Sequence, residues 1–167
     1  MADWQLGAVH HVGLTVRDLD RSIEFYRDVL GLRLLARRTA DADYVGRQTG
    51  FPGVRLEVAS FQLGAGGRPT LELAQYLSHA DDHGLPATNC AGHAHLCCEV
   101  DDIHRAYEAL RTQGVRFRTE PVAITAGPNR GGFVVYLYDP DGFTIELFEP
   151  AKPEMSCQVA AKTSGGG

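Results

Sequence analysis

The sequence has little of what would mark a disulfide-stabilised, membrane-spanning or nucleic-acid-binding chain. Its 167 residues include four cysteines, whose spacing fits neither a zinc-binding pair nor a disulfide framework. No apolar run approaches the ~20 residues that span a bilayer. Lysine and arginine number 16 against 21 aspartates and glutamates, and no basic stripe is present to neutralise phosphates. We therefore expect neither a nucleic-acid nor a membrane partner.

The remaining composition is that of a chain that buries a core. The hydrophobic content of 44% and the charged content of 22% are typical of globular proteins. A length of 167 residues suits one domain or two small packed modules. The N-terminus lacks the basic segment and apolar core of a signal peptide, so we expect a cytoplasmic protein.

An internal repeat organises the sequence. Residues 11–16 are His-Val-Gly-Leu-Thr-Val, and residues 95–100, which begin 84 residues later, are His-Leu-Cys-Cys-Glu-Val. Each segment is followed by an aspartate, Asp18 or Asp102, and then by an apolar stripe with helical spacing. An aspartate is a good helix N-cap, because its carboxylate accepts from the free amides of the first turn. The repeat therefore predicts two copies of one unit, each opening with a strand and a helix.

Three strand-like segments follow each predicted helix. They lie near 32–38, 54–63 and 69–76 in the first copy and near 115–119, 132–138 and 143–149 in the second. Leu-Glu-Leu at 71–73 matches Ile-Glu-Leu at 145–147, an offset of 74, so the first copy carries about ten extra residues, which we place within 39–53. The predicted fold class is α+β, with two tandem βαβββ modules that form a curved, half-barrel mixed sheet around a metal site. Its predicted parts are a first module at 8–77, a linker at 78–91, a second module at 92–150 and a flexible C-terminal tail at 151–167.

Two histidines and two glutamates occupy equivalent positions of the repeat. His11 and His95 open the first strand of each copy, and Glu72 and Glu146 lie in the middle of each last strand. Side chains alternate between the faces of a strand, so each Glu points away from the face on which its aliphatic neighbours are buried. A carboxylate in such a place needs a partner, because an unpaired buried charge costs several kcal/mol. We therefore predict that these four residues bind one divalent metal ion.

Neighbours of the same parity are expected to line a substrate pocket beside the metal. They are Thr15, Thr70, Cys97, Thr144 and Phe148. The Gly-rich segment 125–132 should form a loop over the site. Within that loop, Arg130 either meets an anionic substrate or remains a solvated charge.

Four segments resemble the vicinal oxygen chelate superfamily, which includes glyoxalase I, methylmalonyl-CoA epimerase, bleomycin-resistance proteins and extradiol dioxygenases. The segments are HHVGLTVRDLDRSIEFYRDVLGLRLL, LELAQYL, GHAHLCCEVDDI and YDPDGFTIELFEP. The two-His, two-Glu set is similar to that of glyoxalase I. The resemblance implies Glu146 as the catalytic base, with Glu72 as the second choice. It also implies a homodimer and a small-molecule substrate with adjacent oxygens.

The chemistry of the four predicted ligands suits Zn, Ni, Co, Mn or Fe. The leading hypothesis is a lyase or an isomerase/epimerase that removes a proton next to a carbonyl chelated by the metal. One alternative is an Fe(II)-dependent ring-cleaving dioxygenase. The other is a non-catalytic small-molecule binding or resistance protein. The ligand set does not separate these outcomes, and the sequence leaves open whether the modules pair within one chain or between two.

Overall fold

The computed structural model of the chain describes residues 4–64 and 66–152. Its helices are α1 (Leu19–Glu24, which continues as a π-helical turn over Phe25–Val29), α2 (Asp43–Thr49) and α3 (Ile103–Thr112). Its strands are β1 (His11–Thr15), β2 (Leu34–Ala40), β3 (Leu56–Gln62), β4 (Thr70–Tyr76), β5 (His95–Glu99), β6 (Arg116–Phe117), β7 (Val122–Ala123), β8 (Phe133–Tyr138) and β9 (Thr144–Glu149). The flexible tail predicted at 151–167 lies outside the described residues, except for its first two positions.

The strands form two sheets with the same plan. The first sheet has the order β1-β4-β3-β2 and the second β5-β9-β8-β6, with β7 also paired to β8. In each sheet the opening strand runs parallel to the last strand of its module, and the other pairs are antiparallel. This arrangement confirms the α+β class and the βαβββ repeat. The described residues form two separate sheets rather than the single half-barrel that we expected, because the modules join through apolar side chains and not through strand edges.

The helices α1 and α3 begin where the sequence predicts. The carboxylate of Asp18 accepts from the amide of Arg21 at 3.0 Å, and that of Asp102 accepts from the amide of Arg105 at 2.9 Å. Each carboxylate thus satisfies an amide that has no partner inside its helix. None of the helices in the described residues is long and apolar enough to cross a membrane.

One apolar cluster joins the two modules. It contains the neighbours of both predicted glutamates, namely Leu71, Leu73, Ile145 and Leu147, all 4% exposed or less. It also contains the apolar side chains of α1 and α3. The predicted parity is therefore confirmed, because the aliphatic residues of the last strands face the core and the glutamates between them face the other side of each sheet.

A polar contact between the modules lies at the edge of this cluster. The hydroxyl of Tyr26 on α1 donates to Asp139 in the β8–β9 turn at 3.1 Å. Asp139 also accepts from the amides of Asp141 and Phe143. Only 2% of Asp139 is exposed, and this burial raises the pKa of its carboxyl. The turn of the second module is thereby tied to the first helix of the chain.

The extra residues of the first module form α2, which the sequence analysis did not predict. Val45 of α2 packs with Val58 of β3 in a second, smaller cluster. Val58 pairs with Ala74, which has the same strand parity as Glu72. The insertion therefore covers one end of the sheet face that carries Glu72.

Candidate active site

The second module brings its predicted pair of ligands into contact. His95 Nε2 lies 2.8 Å from Glu146 Oε2. The contact follows from the parallel register, in which His95 pairs with Thr144 and Cys97 pairs with Glu146. The histidine and the glutamate thus stand diagonally on neighbouring strands. Their side chains are 41% and 18% exposed, so the pair lies at an accessible face of the sheet.

The first module repeats this diagonal. His11 pairs with Thr70, and Gly13 pairs with Glu72. The side chain of Glu72 is 24% exposed, and its carboxylate lies 3.8 Å from the guanidinium of Arg38. The Nδ1 atoms of His11 and His10 are 3.0 Å apart. His11 therefore contacts His10, and Glu72 lies near Arg38, so the two predicted ligands of this module are not paired with each other.

The two pairs are not gathered into one site within the chain. Among residues 4–64 and 66–152, no three histidine, cysteine, aspartate or glutamate side chains form a group that could hold a metal ion. The imidazole and carboxylate donors at His95 and Glu146 nevertheless fit a borderline divalent cation, since both are ordinary ligands of such ions. The four-ligand site remains a prediction.

Tyr136 is a neighbour of this site that the sequence analysis missed. It pairs with Glu146 across β8 and β9, and its ring centroid lies 5.6 Å from that of His95. Burial, followed by the charge of Glu146, raises the pKa of Tyr136. The sequence could have indicated this neighbour, because a hairpin centred on the turn at 139–142 places position 136 opposite position 146.

Cys97 stays a neutral thiol at physiological pH. Burial and the neighbouring Glu146 carboxylate raise the pKa of Cys97 to about 11. Since the thiolate is the nucleophilic form, Cys97 can help to wall the pocket but is not an activated nucleophile.

The other predicted pocket residues lie in different environments. Thr15 is exposed at the end of β1, whereas Thr70 and Phe148 are partly buried on the faces that carry the glutamates. Thr144 is 1% exposed, so it does not line an open surface of the single chain. Arg130 is exposed in the loop between β7 and β8.

A cavity of about 760 Å³ lies between β1, the predicted linker and the β8–β9 turn. Its lining includes Thr15, Tyr76, His93 and Phe143. The four predicted ligands do not line it. Glu72 and Glu146 are instead partly exposed on the faces of their sheets, at 24% and 18%.

Comparisons with known proteins agree with the architecture. A profile of the Glyoxalase/Bleomycin resistance protein/Dioxygenase superfamily matches residues 8–147. The chain is 37% identical over 144 residues to a 2-epi-5-epi-valiolone epimerase from an Actinomyces species, covering 84% of this chain and 78% of that one. It is 34% identical over 147 residues to a lactoylglutathione lyase from Haemophilus influenzae, covering 83% and 90%.

A solved structure has the same fold. The crystal structure of a glyoxalase family protein from Bacillus cereus superimposes with a TM-score of 0.78 at 26% identity, covering 91% of this chain and 99% of that one. The repeat, the paired sheets and the sequence relatives lead to one assignment. The chain belongs to the glyoxalase/bleomycin resistance protein/dioxygenase superfamily.

Proposed function

We propose that this chain is a divalent-metal-dependent lyase or isomerase that moves a proton at a carbon next to a carbonyl. The observation that carries the proposal is the 2.8 Å contact between His95 and Glu146 on an accessible sheet face, with His11 and Glu72 at the repeat-related positions. The names of two relatives, an epimerase and a lyase, support an enzyme and include both reaction outcomes.

The cation would be held by His11, Glu72, His95 and Glu146. When bound, it would supply Lewis-acid stabilisation of the negative charge that develops on the two adjacent oxygens of the substrate. The protein's part is to place a base beside the carbon that loses its proton and to return that proton on a chosen side.

Glu146 is the proposed base, a role that its carboxylate would take by being loosely bound to the cation or freed from it when the substrate arrives. Its carboxylate is 18% exposed, so it can reach a substrate while being shielded from bulk water. Tyr136 and Cys97, its neighbours on the adjoining strands, give that shielding. A carboxylate held in this way contributes about 100- to 10,000-fold to a proton transfer. Return of the proton by Glu146 gives one product, and return by Glu72 from the other side gives the epimer.

A homodimer is proposed because each chain carries both kinds of half-site. Under two-fold symmetry, the first-module pair of one chain and the second-module pair of its partner would meet twice, giving two equivalent sites. In the described sheets, the histidine-bearing strands β1 and β5 are both edge strands. Edge strands favour association, because one row of their backbone groups is unpaired.

Metal analysis combined with solvent exchange tests this function. We expect about one divalent ion per chain and incorporation of deuterium from heavy water next to the carbonyl of dihydroxyacetone. Glu146→Gln should abolish the exchange at saturating metal, while Glu24→Gln, at an exposed position of α1, should leave it unchanged. Oxygen uptake without proton exchange would favour the dioxygenase alternative and contradict the proposal.

A further inference from the structure

The sheet side chains around Glu72 are smaller than the equivalent side chains around Glu146. Ser60 lies opposite Glu72 in the β3–β4 register, whereas Tyr136 lies opposite Glu146 in the β8–β9 register. The other repeat-related pairs on these faces are Gly13 with Cys97 and Ala74 with Phe148. At each of these positions the first module has the smaller side chain. The first half-site is therefore less crowded by its own sheet around Glu72, although α2 covers the end of this face at Ala74.

Arg38 is a charged side chain close to Glu72 on this face of the first sheet. It lies on β2, paired with Val58, on the same face of the sheet as Glu72. Its guanidinium is 3.8 Å from Glu72 Oε2, a distance too long for a hydrogen bond. The side chain is 49% exposed, so its donors can be reached from solvent.

The neighbouring Arg37, on the same strand, forms ion pairs with two carboxylates. It lies on the helix-bearing face and contacts Asp20 at 2.5 Å and Glu57 at 3.3 Å. These contacts raise the pKa of Arg37 and fix its planar group between two carboxylates. Arg37 is therefore part of the packing between β2 and α1, whereas Arg38 has one loose partner among the residues that the structure describes.

That partner is a predicted metal ligand. Once Glu72 shares its negative charge with a cation, its attraction for Arg38 falls, and the guanidinium is left to bind another anion. A guanidinium presents paired N–H donors that match the oxygens of a carboxylate or a phosphate. Because Arg38 lies beside Glu72, an anion bound to its guanidinium would lie on the first-module side of the metal site.

We propose that Arg38 is an anion-binding subsite and that the substrate carries a carboxylate or phosphate group beyond its two adjacent oxygens. The proposal rests on the proposed function, because it takes the adjacent oxygens to bind at the metal. The end of the substrate that is remote from the adjacent oxygens would then be an anionic group. Arg38 acts on affinity and orientation, while Glu146 acts on the proton.

Matched pairs of ligands test the subsite by calorimetry on the zinc-loaded protein. Dihydroxyacetone phosphate and dihydroxyacetone form the phosphate arm, and 5-hydroxy-4-oxopentanoate and 1-hydroxybutan-2-one form the carboxylate arm. Within each pair the adjacent oxygens are the same and the charge differs. We expect the anionic member of at least one pair to bind about 10- to 100-fold more tightly, the range typical of a charged hydrogen bond.

Three variants assign the effect. Arg38→Met should remove the preference for the anion, Arg38→Lys should keep part of it, and Arg37→Met should keep all of it. An equal loss in the Arg37 and Arg38 variants, or no preference in the unaltered protein, would overturn the subsite while the neutral ligands still bind. If the neutral ligands also fail to bind, the proposed function fails and the subsite fails with it.

Discussion

The two modules share one backbone plan and differ in what surrounds their predicted ligands. Both place a histidine and a glutamate diagonally on parallel strands. In the second module, His95 and Glu146 already touch and lie under Tyr136. In the first module, Glu72 is near Arg38 and faces small side chains.

This difference separates the features that are repeated in both modules from those that occur in one module. The strand register, the helix caps and the histidine–glutamate pairs are duplicated, so they belong to the fold and to the proposed metal site. The face with large side chains and the face with small side chains occur once each. On this account they determine which way round a substrate binds between nearly symmetric ligands. On this account the second module supplies the base and the first module supplies the contacts that orient the substrate.

The largest effect should separate the two glutamates. At saturating metal, we expect Glu146→Gln to lower kcat about 1,000-fold, because it removes the base from the proton transfer. When kcat is measured for proton exchange, in which Glu146 both removes and returns the proton, Glu72→Gln should lower it about 10-fold, because the amide oxygen can still serve as a ligand. Steady-state turnover and metal analysis on the same samples measure both effects. Equal losses in kcat would break the division of labour between the modules.

A smaller effect concerns the contact of Tyr26 with Asp139, in which the tyrosine has no counterpart in the second module. The repeat-related position of Tyr26 is Leu110, which has no hydroxyl to offer a turn. Tyr26→Phe leaves one oxygen of the buried Asp139 without its donor and should lower the free energy of unfolding by about 1–3 kcal/mol. Tyr44→Phe, at a 56% exposed position, is the control and should change it by less than about 0.5 kcal/mol. Urea unfolding monitored by circular dichroism gives both values.

The pH dependence of stability sharpens the same comparison. Burial raises the folded-state pKa of Asp139, so the folded protein holds this proton more tightly than the unfolded chain does. The resulting stabilisation is complete below the carboxyl's ordinary pKa near 4, and it is lost as the pH rises through the folded-state value. Asp139→Asn removes the titration, so the stability of the unaltered protein should fall relative to this variant as the pH rises from about 4. A constant difference between the two would contradict a raised pKa.

Much of this architecture could be predicted from the residues. The helix caps at Asp18 and Asp102 and the alternation around each glutamate are local patterns, and the structure confirms them. The helix α2 was missed because its short segment, Asp43–Thr49, has no long apolar stripe and is fixed by packing on the sheet. Tyr136 was missed because its role depends on pairing across two strands, which parity along one strand does not show.

The joining of the modules could not be predicted for a related reason. Each module has an apolar face, and the sequence pattern does not say which partner covers it. In the described residues, the helix-bearing sides of the two modules share one cluster, which leaves the faces with the glutamates on the other side of each sheet. That choice depends on contacts between residues far apart in the chain, such as Tyr26 with Asp139.

The smallest expected effect tests a duplicated feature. The side chain of Gln75 accepts from the amide of Leu19 at 3.0 Å, and its counterpart Glu149 accepts from the amide of Ile103 at 2.8 Å. A negative charge near a helix N-terminus contributes about 0.3–1 kcal/mol. We therefore expect Glu149→Gln to lose, and Gln75→Glu to gain, stability within that range in thermal unfolding. Changes of the same sign in both variants would show that the two caps are not equivalent.

Mixing two inactive variants tests the convergence of the four residues most directly. One variant combines His11→Ala with Glu72→Gln, and the other combines His95→Ala with Glu146→Gln. Random pairing after co-refolding makes half of the dimers mixed, each with one intact site of two, so we predict recovery of about one quarter of wild-type activity together with the corresponding bound metal. A mixture that forms mixed dimers but stays inactive and metal-free would contradict the account.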